Sequence, residues 1–283
     1  MKKKLMASIL CLSLLLIMLL GSTLAWFTDD VGTTNTMVVG NVKIEQHEKY
    51  RDETGVLIEW TDAYKPAMFP VVPKGDGQTM AGANVTIDNT GYALYNQNQN
   101  VIDKIVTVEN TGDSAAYVRT VFAFEMMKKD DGSGNITWEN PLDQAKTKVH
   151  LNVNEPEKLV FANTAVVIYK YQNGTYGVDS TNAVAAYVVG VYTYQDALAA
   201  PAENTPSVST PSLLQVYLDK SVGNEFYDAV GTDGYQILVL SQAVQTQGFE
   251  AEQNGRSAAE VALDTAFGAV NAENAAEWFA NMQ

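Results

Sequence analysis

Apolar and polar positions alternate in several segments of the chain after residue 100. In Ala116 to Met127 the even positions from Val118 to Met126 fall on one face, while Tyr117, Arg119 and Glu125 fall on the other. A period of two with one apolar face predicts a half-buried β-strand. Similar β-rich runs are 101–109, 166–171, 183–194 and 235–244. Turn residues such as those at 130–135 separate the runs, so the sequence predicts an all-β sandwich.

Two stretches break the alternation, and the pattern changes again at the C-terminus. Residues 65–82 are rich in Pro and Gly, and residues 199–211 are rich in Pro, Ser and Thr. We interpret 199–211 as an exposed loop inside a single domain that spans 26–283. Ser257 and Glu260 have capping-box spacing, and Asn271 is a second capping residue. We therefore expect C-terminal helices within 257–281 that pack on the sheet rather than bind a partner.

The N-terminus has the three parts of a secretory signal peptide, which we assign to residues 1–25. Three lysines precede an apolar segment, Leu5 to Leu20, and small residues follow, with Thr23 and Ala25 at the −3 and −1 positions. Cleavage is therefore expected between Ala25 and Trp26. The alternative is an uncleaved anchor, but about 16 apolar residues fall short of the roughly 20 that a membrane-spanning helix needs.

Charge and cysteine content narrow the expected location and partners. Removing residues 1–25 leaves 15 basic and 33 acidic residues, a net charge of −18. Such a balance argues against nucleic acid and anionic membranes as partners, so membrane contact is expected only through the uncleaved signal. The single cysteine, Cys11, lies within the signal. A chain exported without cysteine forms no disulfide and suits the surface of a Gram-positive bacterium.

Candidate catalytic and metal-binding residues are few, and we predict no enzyme, cofactor or metal site. His47 and Glu48 begin an HExxH-like pattern, but Arg51 stands where the second histidine belongs. His150 is the other histidine, so at best a pair from distant strands could form. No GxSxG motif or phosphate-binding Gly-rich loop occurs. Acidic residues from Asp130 to Glu139 resemble a calcium loop but depart from EF-hand spacing, which favours a polar hairpin turn.

Four segments carry a more specific resemblance. The segment Gly21 to Asp29 (GSTLAWFTD) resembles the signature of proteins that the dedicated signal peptidase SipW processes, although Leu24 replaces the usual Trp. Downstream, Gly40 to Ile44, Lys104 to Arg119 and Tyr235 to Phe249 resemble the first strand, the NTG-YVR stretch and the C-terminal element of the same proteins. The chain therefore resembles the TasA/camelysin family. Residues 48–100 and 132–233 match no part of the family pattern.

This resemblance implies a jelly-roll-like β-sandwich that is trimmed after Ala25. In TasA-like fibre subunits the freed N-terminal segment adds as a strand to the next subunit. Edge-strand addition satisfies the open backbone groups of a sheet, so the mechanism is physically sound. The corresponding residues here form the predicted strand-exchange segment: Trp26, Phe27, Val31, Met37, Val38 and Val39.

The predicted function is a secreted, non-enzymatic structural protein of the cell surface or biofilm matrix, with other copies or matrix proteins as partners. A SipW-type signal peptidase is the expected processing partner. Two alternatives stay open: a monomeric surface-binding module, in which residues 26–46 are an ordinary first strand, and a camelysin-like metalloprotease.

Overall fold

A computed structural model defines the fold. The structure describes residues 28–32, 42–61, 64–71, 84–86, 92–95, 100–203, 205–230, 234–249 and 255–281. For 28–32 and 84–86 it describes the backbone alone.

Strands are the main secondary structure of the described chain. Those of the N-terminal half are β1 (Thr28–Gly32), β2 (Ile44–Arg51), β3 (Leu57–Glu59), β4 (Asn84–Thr86), β5 (Ala93–Tyr95), β6 (Val101–Asn110), β7 (Ala116–Glu125), β8 (Met127–Asp130) and β9 (Ile136–Glu139). Those that follow are β10 (Val149–Asn152), β11 (Leu159–Phe161), β12 (Val167–Tyr171), β13 (Tyr176–Gly177), β14 (Ala183–Thr193), β15 (Ser207–Val208), β16 (Leu213–Leu218) and β17 (Ile237–Gln245). The α-helices among the described residues are α1 (Asn224–Val230), α2 (Ala258–Phe267) and α3 (Ala272–Ala280), and a short 3-10 helix spans Pro156–Lys158.

Two antiparallel sheets pack face to face. The larger sheet has the order β1-β17-β7-β14-β12-β13, with β11 also beside β14, and the smaller has the order β10-β16-β6-β2-β3, with β15 also beside β6. From β6 onward the main strands β6, β7, β10, β14, β16 and β17 alternate between the sheets, and β1 pairs with β17, the last strand. This is a jelly-roll-like sandwich, so the predicted fold class is confirmed.

The core lies between the sheets and consists of the inward-facing residues of both. The ring centroids of Phe122 and Phe124 of β7 lie 5.6 Å apart. Both side chains are fully buried in a cluster with residues of the smaller sheet such as Val106 and Leu213. Removing this apolar surface from water is the main stabilising contribution. Interdigitating side chains also fix which sheet each strand joins.

Strand β7 differs from its predicted half-buried state. Nearly every residue of β7 is buried, including Arg119, which is 2% exposed. The prediction of a polar, exposed second face is therefore wrong. The reason is that α2 and α3 cover the outer face of the larger sheet at β7 and β17.

The C-terminal helices begin where the sequence predicts. The Ser257 side chain accepts a hydrogen bond from the Glu260 backbone N–H, and the Glu260 carboxylate accepts one in return from the Ser257 backbone N–H. Asn271 caps α3 by accepting from the Asn274 N–H at 2.8 Å. Trp278 and Phe279 of α3 are buried in a cluster with residues of the larger sheet. The prediction that these helices pack on the sheet is confirmed.

The predicted turn at 130–135 and the predicted loop at 199–211 can be compared with the structure. The turn predicted at 130–135 connects the hairpin β8–β9, and Asp131 accepts hydrogen bonds there from the backbone N–H groups of Ser133 and Asn135. The Pro/Ser/Thr-rich stretch at 199–211 contains β15, which pairs with the end of β6. This stretch is therefore tied to the smaller sheet. Of residues 65–82, only 65–71 lie within the described chain.

Candidate functional site

The first described strand lies at the edge of the larger sheet. β1 runs antiparallel to β17, with Thr28 opposite Val244 and Gly32 opposite Leu240. Within the described chain no strand pairs with the other side of β1, so its outer edge is open. We call the part of β17 and its neighbours that receives β1 the β1 seat, consisting of Leu240–Val244 with the side chains of Gln46, Arg119 and Thr120.

The structure contains only part of the predicted strand-exchange segment. Val31 lies in β1, opposite Ser241. The remaining members of the segment and the residue before the predicted cleavage site lie outside the described residues: Ala25, Trp26, Phe27, Met37, Val38 and Val39.

The inner side of the β1 seat is polar, which is unusual for a sandwich interior. Ser241 is fully buried, and its hydroxyl donates to Gln46 Oε1 of β2 at 2.8 Å. The same hydroxyl lies 3.2 Å from that of Thr120, which is also fully buried. Gln46 Nε2 in turn donates to Glu48 Oε1 at 2.9 Å. A chain of hydrogen bonds therefore joins the two sheets beside β1.

The outer side of the β1 seat is organised by a buried arginine. Arg119 Nε donates to Gln242 Oε1 at 2.7 Å, and its Nη1 donates to Asp264 Oδ1 of α2 at 2.7 Å. Its Nη2 donates to the Gly268 carbonyl at 3.1 Å, and the guanidinium carbon lies 4.8 Å from the centroid of the Trp278 ring. A buried charge is stabilised by hydrogen-bonding and charged partners of this kind. Arg119 thus connects β17 to both C-terminal helices.

Sequence reasoning missed the polar residues of the β1 seat. Arg119 lies within the NTG-YVR stretch, but the sequence predicts no role for it. The available signal was Ser241-Gln242 in the middle of the apolar run 237–244, where two consecutive polar residues place one on each face. Buried polar residues of this kind have hydrogen-bond partners or a function.

The two histidines do not come together. His47 lies in β2 between two carboxylates, with Nδ1 3.4 Å from Glu59 and Nε2 3.2 Å from Glu109. His150 lies in β10, 3.1 Å from Asp219, and β6 and β16 separate the two strands. Within the described residues no three His, Cys, Asp or Glu side chains are grouped as metal ligands. The structure therefore does not bring together His47 and His150, the pair that the sequence left open.

A cavity of about 260 Å³ lies on the outer face of the larger sheet, beside α2. Two basic residues on its wall already have acidic partners: Lys158 lies 2.7 Å from Glu155, and Arg256 pairs with Asp264. With their charges matched inside the chain, these residues do not point to an anionic ligand.

Comparisons with known proteins add no relative. No family model, curated protein or solved structure matches this chain. Among the helices that the structure describes, none has the length and apolar content needed to cross a membrane. The candidate site therefore rests on the geometry of the β1 seat.

Proposed function

We propose that this protein is an exported, non-enzymatic structural protein of the cell surface or biofilm matrix, similar to the TasA/camelysin family, whose copies join by exchanging β1. One observation carries the proposal. The strand that follows the predicted cleavage site within a few residues is an edge strand, and it lies in a seat on the last strand of the same chain. An edge strand of this kind can be replaced by an identical strand from another copy.

The energetics of the β1 seat support an exchange. β1 contributes only five residues, Thr-Asp-Asp-Val-Gly, of which one is a large apolar residue. A strand from a second copy restores the same backbone ladder, so exchange within a polymer leaves the number of hydrogen bonds unchanged. The polar inner side at Ser241 and Gln46 lowers the apolar area that an empty seat exposes to water. Association entropy is then the main cost of joining two copies.

Export and assembly are coupled in this proposal. While residues 1–25 remain attached, the N-terminal segment is held at the membrane, and a SipW-type signal peptidase releases it by cutting after Ala25. The protein then acts outside the cell, on the surface of a Gram-positive bacterium. Assembly would begin only after export because the exchangeable strand becomes available at that step.

Two versions of the protein test the proposal, one beginning at Trp26 and the other at Gly40, which lacks β1. We expect the first to form polymers at high concentration, seen by size-exclusion chromatography and electron microscopy, and the second to stay monomeric. As a control, excess peptide spanning 26–39 should shorten the polymers by occupying the β1 seats at their ends. If both versions stay monomeric at high concentration, the fibre proposal is wrong.

The alternative of a monomeric surface-binding module is favoured by the same pairing, because an ordinary first strand also pairs within its own chain. The two versions distinguish these functions, since a binding module would remain monomeric in both. The protease alternative is tested separately by a proteolysis assay with and without a chelator. Chelator-sensitive cleavage by the pure protein would contradict the non-enzymatic proposal.

A further inference from the structure

A lysine and a glutamate form a buried ion pair on the inner face of the smaller sheet. Lys104 Nζ of β6 contacts Glu48 Oε2 of β2, and the two side chains are 10% and 9% exposed. Among the lysine–carboxylate ion pairs of the described residues, it is the only one with both partners buried. Taking two opposite charges out of water costs free energy that their attraction only partly restores. A reaction that removes both charges is therefore favoured by their burial.

The register of the sheet holds the amine and the carboxylate together. Glu48 lies opposite Val106 in the β2–β6 ladder, so Lys104 is its diagonal neighbour on the same face, within reach of a long side chain. Val106 belongs to the core, which identifies this face as the interior. The centroid of the Trp60 ring lies 4.4 Å from Lys104 Nζ and covers one side of the pair. Two reactive groups fixed in contact in this way have a very high effective concentration.

The second carboxylate oxygen of Glu48 faces a hydrogen-bond donor of fixed orientation. Gln46 Nε2 donates to Glu48 Oε1 at 2.9 Å. The other end of the Gln46 amide accepts from the Ser241 hydroxyl at 2.8 Å, so turning the amide over would break both hydrogen bonds. A fixed donor beside an oxygen that gains negative charge during addition to a carboxyl group lowers the barrier to that addition.

We propose that Lys104 and Glu48 become joined by an amide bond between Nζ and Cδ that the folded chain forms by itself. One proton moves from Nζ to Oε2, which leaves an amine and a carboxylic acid. Nζ then attacks Cδ, and the negative charge of the tetrahedral intermediate develops on Oε1, beside Gln46. A second proton moves from Nζ to Oε2, the Cδ–Oε2 bond breaks, and one water leaves. Lys104 supplies both protons, so the reaction needs no cofactor, oxidant or further acid.

The amide would connect β2 to β6 covalently. Because β2 is the strand that follows β1, a pull on β1 would then end at residue 48 and leave the sandwich beyond it closed. This use in a polymer rests on the proposed function. Formation of the bond does not, since both residues belong to one folded chain.

Intact-mass spectrometry of the chain from Trp26 tests the proposal. We expect a mass lower than that of the sequence by one water, about 18 Da. Trypsin does not cut after an acylated lysine, so a digest should contain peptide 44–49 joined to peptide 75–119, which tandem mass spectra identify. The Trp60 ring stabilises the ammonium form of Lys104 and so slows the first proton transfer. The mass is therefore followed for days after purification.

Three variants separate the bond from the ion pair. Lys104→Arg keeps a cation beside Glu48 but should abolish the loss of water. Lys49→Arg is the matched control, because Lys49 pairs with Glu59 at 3.1 Å on the exposed face, and it should leave the loss unchanged. Gln46→Ala removes the donor to Oε1 and should slow the loss about a hundredfold. Circular dichroism verifies that each variant is folded.

The proposal is overturned if the folded, unmodified chain keeps the mass of its sequence and trypsin releases peptide 75–104 unattached. A loss of water that maps to other residues overturns it too. Mapping the unmodified chain decides the question even if Lys104→Arg fails to fold. The two proposals fail separately. A crosslinked protein that never polymerises refutes only the assembly, and a polymer without the crosslink refutes only the amide bond.

Discussion

Replacing Arg119 with methionine tests whether this buried cation holds the C-terminal helices to the sheet. The side chain is 2% exposed, and within the part of the chain that the structure describes it donates to Gln242 Oε1, Asp264 Oδ1 and the Gly268 carbonyl. Methionine retains the apolar stem and much of the volume but supplies no donor. The substitution therefore separates the hydrogen bonds and charge from the packing.

From the structure we expect a loss in the free energy of unfolding near the lower end of the range for a broken buried ion pair. Removing one partner of such a pair costs about 3–5 kcal/mol. Asp264 keeps a second partner in Arg256, and its side chain is 20% exposed, so its charge is not stranded. We expect a loss of about 3 kcal/mol in the free energy of unfolding. For a domain of this size that corresponds to a decrease of about 6–12 °C in Tm.

Urea unfolding of the chain from Trp26 checks this value, followed by the fluorescence of its four tryptophans, one of which, Trp278, lies beside the guanidinium. Arg256→Met is the matched control: it removes a cation from the same carboxylate, but at a side chain 46% exposed, where an ion pair contributes about 0.2–1 kcal/mol. If Arg119→Met costs no more than Arg256→Met, Arg119 is not the connection between the sheet and the helices.

Two further predictions concern packing and pH. Gly190→Ala would place a Cβ 2.7 Å from Phe161 Cε1, so we expect the free energy of unfolding, measured by thermal unfolding, to fall by about 1–3 kcal/mol. Adding Phe161→Leu should recover most of this loss. If the double variant is no more stable than Gly190→Ala, the ring contact is not the cause. Burial, with smaller contributions from Tyr95 and Asp219, raises the pKa of Tyr217 to about 12 from its ordinary 10.0. The unfolded chain ionises first, so this stability is fully present below pH 10 and is lost as the pH rises toward 12. Tyr217→Phe should reduce the alkaline loss seen in urea midpoints, and an unchanged slope would contradict this account.

Local signals allowed much of the secondary structure to be predicted. The runs 101–109 and 183–194 are observed as Val101–Asn110 and Ala183–Thr193, because strand alternation depends only on neighbouring residues. The capping box at Ser257 and Glu260 is confirmed for the same reason, since its partners are three residues apart. These features identify the elements and the fold class, but they do not determine how the elements are arranged.

The arrangement of the candidate site was decided by long-range contacts. Alternation placed Arg119 on the polar face of its strand, yet helices from about 140 residues further along bury that face. No local pattern shows that β1 pairs with β17, or that β6 and β16 keep His47 apart from His150.

By itself the sequence determined the period of each segment, the caps of its C-terminal helices and the acidic charge. Only the tertiary structure decided what covers each face and which strand lies beside which. The physical reason is that a hydrophobic period records which residues leave water, whereas Gln242 and Arg119 acquire their roles from partners far away in the chain.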